Sequence, residues 1–230
     1  MLSFLFDPLF LIVVLPFAAL AFWASSRVKG TFKKYNKIPI RSGFSGAETA
    51  QAMLHGAGIH DVTIESVPGM LSDHYDPQAK VVRLSDDILN GRTAAAVAVA
   101  AHEVGHAIQD AQGYAPMSIR SSLVPVANIG SSLAPWMIII GVFTNLTGLA
   151  WLGVIIFAAA VLFHIVTLPV EYDASFRAMR VLEGSGIVAT DEMPGVKKTL
   201  YAAGFTYVAA TLVALAHLAY YVMLLAGNDD

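Results

Sequence analysis

Four long apolar stretches constrain the fold of this chain more than any other feature of its sequence. They run from about Phe4 to Trp23, Leu123 to Phe143, Leu146 to Val166 and Tyr207 to Leu225. Each approaches the roughly 20 residues that a helix needs to cross the hydrocarbon core of a bilayer. Because a backbone in lipid must satisfy its own hydrogen bonds, we interpret all four as transmembrane helices and expect a mainly α membrane protein.

The overall composition agrees with this interpretation. Hydrophobic residues make up 56% of the 230 positions and charged residues only 13%, whereas about 25% of a typical soluble domain is charged. The net charge is -3 and we find no RNA- or DNA-binding motif, so nucleic acid is not an expected partner. The lipid bilayer is the partner that composition predicts.

The basic residues predict the orientation of these helices. All 14 lie either between the first and second apolar stretches or between the third and fourth. Six of them follow the first stretch closely: Arg27, Lys29, Lys33, Lys34, Lys37 and Arg41. A four-span topology places every basic residue on one side of the membrane, and the positive-inside tendency makes that side cytoplasmic.

The apolar stretches divide the chain into five predicted segments. These are residues 1–23 as the first transmembrane helix, 24–117 as a cytoplasmic insert, 118–167 as a transmembrane hairpin, 168–200 as a second cytoplasmic segment, and 201–230 as the last transmembrane helix and tail. Inside the insert, Ser45 and Glu48 have the spacing of a capping box that begins a helix. "DVTIESV" and "VVRLS" indicate two strands of a hairpin, joined by the turn-rich "SDHYDPQAK". We therefore expect a small cytoplasmic α+β unit.

The insert ends in a helix, predicted from Thr93 to about Gln112, that carries the pattern HEVGH. On a helix, His102 and His106 lie one turn apart on the same face and can bind one zinc ion. Glu103 can accept a proton from a water molecule that zinc has acidified to a pKa of about 7. The pattern is short, so an ordinary alanine-rich helix with polar residues is the alternative.

A catalytic zinc ion usually has three protein ligands. Since the chain contains no cysteine, the third ligand must be His, Asp or Glu, and Glu171 in "TLPVEYDAS" is the strongest candidate. Pro169 suits the first turn of a helix, which would place Glu171 near a helix N-terminus. Two apolar stretches separate His106 from Glu171, and because this number is even, both residues return to the same side of the membrane.

The weaker candidates for roles around the site include three residues that follow Glu171 in the sequence, namely Asp173, Ser175 and Arg177. Asp173 is expected to pair with Arg177 four residues later, and a hydrogen bond to a zinc-bound imidazole is the alternative. Ser175 can share the helix face of Glu171.

Two candidates lie elsewhere in the chain. Gln109 can support the neighbouring His106, although a polar helix end is slightly favoured. His74 is expected to stabilise a turn, with stabilisation of an oxyanion as the alternative. "VVRLS" is the candidate edge strand for binding substrate backbone.

Four blocks of the sequence, "AAHEVGHAIQ", "SDHYDP", "TLPVEYDAS" and "AAGFTYVAA", resemble the YugP-type family of membrane zinc metallopeptidases, and the resemblance runs essentially end to end. The chain is also distantly similar to the HtpX-type membrane peptidases, which are gluzincins. The resemblance implies a minimal-gluzincin unit with one Zn²⁺ per chain at His102, His106 and Glu171, and Glu103 as general base. One departure is that the distant relatives have aspartate at the position of Ser175.

Together these features predict a zinc metalloendopeptidase of the bacterial cytoplasmic (inner) membrane, which cleaves peptides or membrane-protein segments at the cytoplasmic surface. Its oligomeric state stays open. An intramembrane protease is one alternative, although only about eight apolar residues precede His102 in its helix. A zinc carrier that uses His164 and His217, or a catalytically silent scaffold or chaperone, is another.

Overall fold

A computed structural model of the chain describes residues 7–227, which are mostly helical and include one small sheet. The helices are α1 (Pro8–Val13), α2 (Leu15–Tyr35), α3 (Gly46–Gly56), α4 (Asp86–Leu89), α5 (Ala94–Ala111), α6 (Ala115–Phe143), α7 (Thr147–Ser185) and α8 (Met193–Ala226). The strands are β1 (Thr63–Val67), β2 (His74–Asp76) and β3 (Val81–Ser85).

These elements form two compact units. The first consists of the residues up to Ser25, Ile119–Leu168 and the residues from Thr206 onward. The second consists of Ser26–Ser118 and Pro169–Phe205. Helices α2, α6, α7 and α8 contribute residues to both units, so each unit is described separately below.

Three helices within residues 7–227 are long and apolar enough to cross a membrane, namely α6, α7 and α8. The prediction of four spans is therefore wrong for this part of the chain. The first apolar stretch is divided, because α1 ends at Val13 and α2 begins beside Pro16, which has no N–H group to donate. The apolar part of α2 ends where its basic residues begin and is too short for a span. Residues 1–6 of the predicted first span lie outside the described residues.

In the first unit, α6 and α7 pack closely through small residues. A Cβ atom added at Gly141 would lie 2.8 Å from Cβ of Ala150, and one added at Gly153 would lie 2.8 Å from the side chain of Ile138. The link between the two helices is short, and Asn145 within it has a positive φ of 56°. Small residues at a helix interface are typical of packing in membranes, where backbones approach closely.

The second unit contains the sheet, whose strand order is β1-β3-β2. The predicted hairpin is wrong, because β1 and β3 are parallel neighbours and β2 pairs antiparallel with the other side of β3. β2 lies within the segment that we expected to be a turn. "VVRLS" is the central strand and not an edge, in agreement with its burial at four of five positions.

Two helices of this unit begin where the sequence predicts. The Ser45 hydroxyl accepts a hydrogen bond from the Glu48 N–H (3.1 Å), and the Glu48 carboxylate accepts one from the Ser45 N–H (2.7 Å), which completes the capping box of α3. The Thr93 hydroxyl oxygen accepts a hydrogen bond from the Ala96 N–H at the start of α5. In α5, 14 of 18 residues are buried, among them the polar residues Glu103, His106 and Gln109 in its second half.

α7 differs from its prediction at one point. We expected a new helix to begin at Pro169, but α7 continues through Pro169 and ends at Ser185, before Gly186 with its φ of 72°. A proline inside a helix removes one backbone hydrogen bond and leaves the rest of the helix able to form. Glu171 is therefore an interior residue of a 39-residue helix and does not lie at a helix N-terminus.

Candidate metal centre

The second half of α7 contacts α5 at a glycine. A Cβ atom added at Gly105 would overlap the carbonyl oxygen of Ala174 and lie 3.0 Å from its carbonyl carbon. Ala174 is fully buried, so neither helix can shift into open space. Glycine is thus required for this approach, which brings Glu171, three residues before Ala174, close to α5.

His102, His106 and Glu171 form one cluster, in which potential ligand atoms of the three residues lie within 4.8 Å of one another. The Nε2 atoms of His102 and His106 lie 3.2 Å and 3.6 Å from Oε2 of Glu171. The Glu171 side chain is only 2% exposed. Two imidazole nitrogens and one carboxylate oxygen are the donor set of a zinc site that keeps a fourth position open.

The charges of these groups depend on one another. Burial opposes ionisation of Glu171, but hydrogen bonds with His102 and His106 hold the pKa of its carboxyl group well below the usual range. Burial lowers the pKa of His106, yet its hydrogen bond with Glu171 and the charge of that residue outweigh burial and raise it overall. The cluster therefore favours positive charge beside the carboxylate, and a divalent cation can supply that charge in place of protons.

Gln109 is completely buried and links His106 to α7. Its Oε1 atom accepts a hydrogen bond from Nδ1 of His106 (3.0 Å). Its Nε2 atom donates to the carbonyl oxygen of Val170 (2.7 Å) and to Oδ2 of Asp173 (2.8 Å). With Nδ1 as the donor, Nε2 of His106 remains available for the cluster, so Gln109 selects both the tautomer and the ring orientation.

Ser175 makes the corresponding contact with the other histidine. Its Oγ atom lies 3.1 Å from Nδ1 of His102 and can accept a hydrogen bond from that nitrogen. Because Ser175 is four residues after Glu171, one face of α7 supplies both the acidic residue of the cluster and the support for one imidazole.

Asp173 is linked to the site through Gln109. It also forms the expected i,i+4 ion pair with Arg177. Arg177 in turn donates a hydrogen bond to Gln112 and lies over the ring of Tyr114, with 5.5 Å between Cζ and the ring centroid. These contacts join the end of α5 to α7 beyond the metal cluster.

His74 is exposed and is not part of the cluster. Its Nδ1 atom donates to the carbonyl oxygen of Ser72 (2.8 Å), a local contact of the kind expected for a turn-stabilising residue. The neighbouring Tyr75, which the sequence pattern did not single out, donates a hydrogen bond to Asp110 (2.7 Å), and Lys80 contacts the same carboxylate (2.6 Å). These two contacts attach β2 and the turn after it to the end of α5.

The His₂Glu cluster on α5 and α7 is a set of residues that could hold a metal ion such as zinc, in a chain with three helices long and apolar enough to cross a membrane. Residues 10–226 match a family described as "Putative neutral zinc metallopeptidase", and the chain belongs to that family. It is also 44% identical over 223 residues to the "Putative membrane protease YugP" of Bacillus subtilis (strain 168), which covers 96% of this chain and 99% of that protein. No solved structure matches the chain. The family resemblance seen in the four sequence blocks is thereby confirmed.

Substitution of Gly105 by alanine should weaken zinc binding by roughly tenfold or more, because the added Cβ must push α7 and its carboxylate away from the two imidazoles. Zinc titration of the purified full chain against a chelator measures this change. Gly56→Ala is the matched control, since a Cβ there meets nothing within 4 Å. Equal zinc affinity of Gly105→Ala and the unsubstituted protein would contradict the proposed role of the contact.

Substitution of Gln109 by leucine should lower zinc affinity by about 10- to 100-fold, because His106 loses the acceptor that orients its ring. Gln109→Glu combined with Asp173→Asn should weaken zinc binding less, since it keeps an acceptor for Nδ1 of His106 and puts an amide donor opposite the second carboxylate oxygen. The same titration checks both variants, with Gln51→Leu on the exposed side of α3 as the control. The interpretation fails if the glutamate and leucine variants bind zinc equally poorly.

Proposed function

We propose that this protein is a membrane-bound zinc endopeptidase that hydrolyses peptide bonds with Glu103 as the general base. The observation that carries the proposal is the cluster of His102, His106 and Glu171, whose potential ligand atoms lie within 4.8 Å of one another and whose charges act on the Glu103 carboxyl group. The three residues would hold one zinc ion per chain, which when bound supplies a Lewis acid that acidifies water and polarises the substrate carbonyl. Membership of a zinc metallopeptidase family supports the same activity.

Glu103 has the environment that a proton-transfer group needs. It follows His102 directly on α5 and is buried, and this burial raises the pKa of its carboxyl group. The charges of the nearby histidines oppose this rise. In the proposed reaction Glu103 accepts the proton of the attacking water and then donates it to the leaving amine nitrogen.

β2 provides a place for the substrate backbone. It is an edge strand of the sheet, and the hydrogen bond from Tyr75 to Asp110 attaches it to the helix that carries Glu103. An extended peptide can add to such an edge through main-chain hydrogen bonds. We therefore assign to β2 the role that the sequence pattern had suggested for "VVRLS".

A cavity of about 420 Å³ on another flank of α7 suits an apolar substrate side chain. Its lining includes the aromatic residues Tyr172, Phe176 and Tyr201. It also includes Ser175, which contacts His102. Peptides or membrane-protein segments with large apolar residues are accordingly the proposed substrates.

The zinc-carrier alternative lacks a second metal site in the described part of the chain. Neither His164 nor His217 belongs to a group of three residues that could hold a metal ion. Nδ1 of His217 instead donates to the carbonyl oxygen of Val213, one turn earlier in α8. This local hydrogen bond is the ordinary way to satisfy a polar group inside an apolar helix.

Replacing Glu103 by glutamine should reduce cleavage of an unfolded reporter protein by a factor on the order of 100 to 10,000, while about one zinc ion per chain remains bound. Activity and metal content are measured on the full chain in detergent. Glu171→Ala should lose both the metal and activity, and Glu183→Gln, at an exposed position of the same helix, should lose neither. Full cleavage by Glu103→Gln would refute its role as base, and zinc flux into vesicles unaffected by that substitution would favour a carrier.

We also propose that the metal centre faces the cytoplasm, which the distribution of all 14 basic residues supports. The chain has no cysteine, so single cysteines can report accessibility without background labelling. In intact cells a membrane-impermeant maleimide should label Leu146→Cys, in the short link between α6 and α7. Gln51→Cys should react only after the membrane is permeabilised. The reverse pattern would place the centre on the outer side.

A further inference from the structure

Three lysines near the end of α2 have no partner among residues 7–227. The ammonium groups of Lys29, Lys33 and Lys37 are exposed, and none forms a hydrogen bond or ion pair within that range. Lys29 and Lys33 are four residues apart on α2 and therefore lie on one helix face, and Lys37 follows just beyond the helix end. Three positive charges are thus close together without a compensating carboxylate contact.

Other basic residues of this segment are engaged. Arg41 forms an ion pair with Asp191, and Nζ of Lys34 lies 5.4 Å from the centroid of the Tyr35 ring. The positive-inside tendency applies equally to every basic residue of the segment, so it does not explain why these three lysines lie close together. The partial negative charge at the C-terminal end of a helix favours basic residues in its last turn. This effect accounts for Lys33 in the last turn of α2 but not for Lys29.

The three lysines line one cleft of about 340 Å³. Its apolar lining comes from Phe32 on α2 and from Met70 and Leu71 in the loop between β1 and β2. Met70 is 72% exposed and Leu71 is 45% exposed. Leu71 also has a positive φ of 60°, an unfavourable conformation for a residue with a Cβ atom, and here it lies beside the cleft.

The cleft therefore combines positive charge with exposed apolar side chains. An ion pair with an acidic protein segment would use the charges but leave Met70 and Leu71 in water. A phospholipid has the matching arrangement, because its phosphate is attached directly to a hydrocarbon-rich glycerol ester. The apolar first part of α2 precedes Lys29 in the same helix, a sequence order typical of a segment at the membrane interface.

We propose that this cleft binds the head group of an anionic phospholipid. The phosphate lies against the ammonium groups of Lys29, Lys33 and Lys37, and the first part of the acyl region contacts Met70 and Leu71. Asp87, also in the lining, disfavours additional negative charge and limits the site to one head group. This site is separate from the metal centre and is independent of the proposed peptidase activity.

The experiment is lipid titration of the purified full chain in a neutral detergent, with bound lipids counted by native mass spectrometry. The probes are dioleoyl phosphatidylglycerol and, as the neutral comparison, dioleoyl phosphatidylcholine. The cleft variant is Lys29→Gln/Lys33→Gln/Lys37→Gln. The matched control is Lys34→Gln/Lys197→Gln/Lys198→Gln, which removes the same charge elsewhere. Zinc content of every variant reports whether the second unit remains folded.

The cleft variant should bind phosphatidylglycerol on the order of 100-fold more weakly, and the control variant should change little. Asp87→Asn should strengthen binding because it removes a like charge, and Met70→Gln should weaken it. Phosphatidylcholine binding should be the same for all variants.

Three results would overturn the proposal. The first is an equal loss of phosphatidylglycerol in the cleft and control variants, which would indicate a general charge effect. The second is displacement of the lipid by millimolar inorganic phosphate, which would indicate a site for the free anion. The third is binding of a fluorescent hexaglutamate peptide more tightly than the lipid, with loss in the cleft variant, which would indicate an acidic protein partner.

Discussion

The metal centre depends on the contact between Gly105 of α5 and the backbone of Ala174 in α7. A buried carboxylate is unfavourable unless positive charge and hydrogen bonds compensate it, and Glu171 meets two imidazoles where the two helices nearly touch. At a larger separation its side chain would lose the imidazoles that lower its pKa. The alanines before the HEVGH pattern also permit close packing, because their small side chains let other elements of the unit approach α5.

The two imidazoles are supported in similar ways from the same helix. Gln109 receives the Nδ1 proton of His106 and is itself held by α7, whereas Ser175 of α7 contacts Nδ1 of His102 directly. Both arrangements direct Nε2 toward Glu171. Since such supporting groups also raise the basicity of a ligand nitrogen, α7 would contribute one ligand to a bound metal ion and influence the other two. The pattern on α5 alone would not define this geometry.

The sequence was sufficient for features that depend on neighbouring residues in the chain. The capping box at Ser45 and the start of α5 at Thr93 are examples, because capping hydrogen bonds are made within four residues. Strand pairing is a long-range property, and nothing local distinguishes the parallel β1–β3 pair from a hairpin. The helix that continues through Pro169 is similar, since packing around a long helix outweighs the loss of one hydrogen bond.

The error in the number of spans leaves the assembly of the metal centre unaffected. His106 and Glu171 are separated by α6 and the first part of α7, which are both apolar enough to cross a membrane, and two crossings would return the chain to the side from which it started. Residues before α6 do not enter that count, so the division of the first apolar stretch changes only the path of the N-terminal segment. An odd number of spans between the two residues would instead place the ligands on opposite sides of the bilayer. Their presence in one compact unit agrees with the even number.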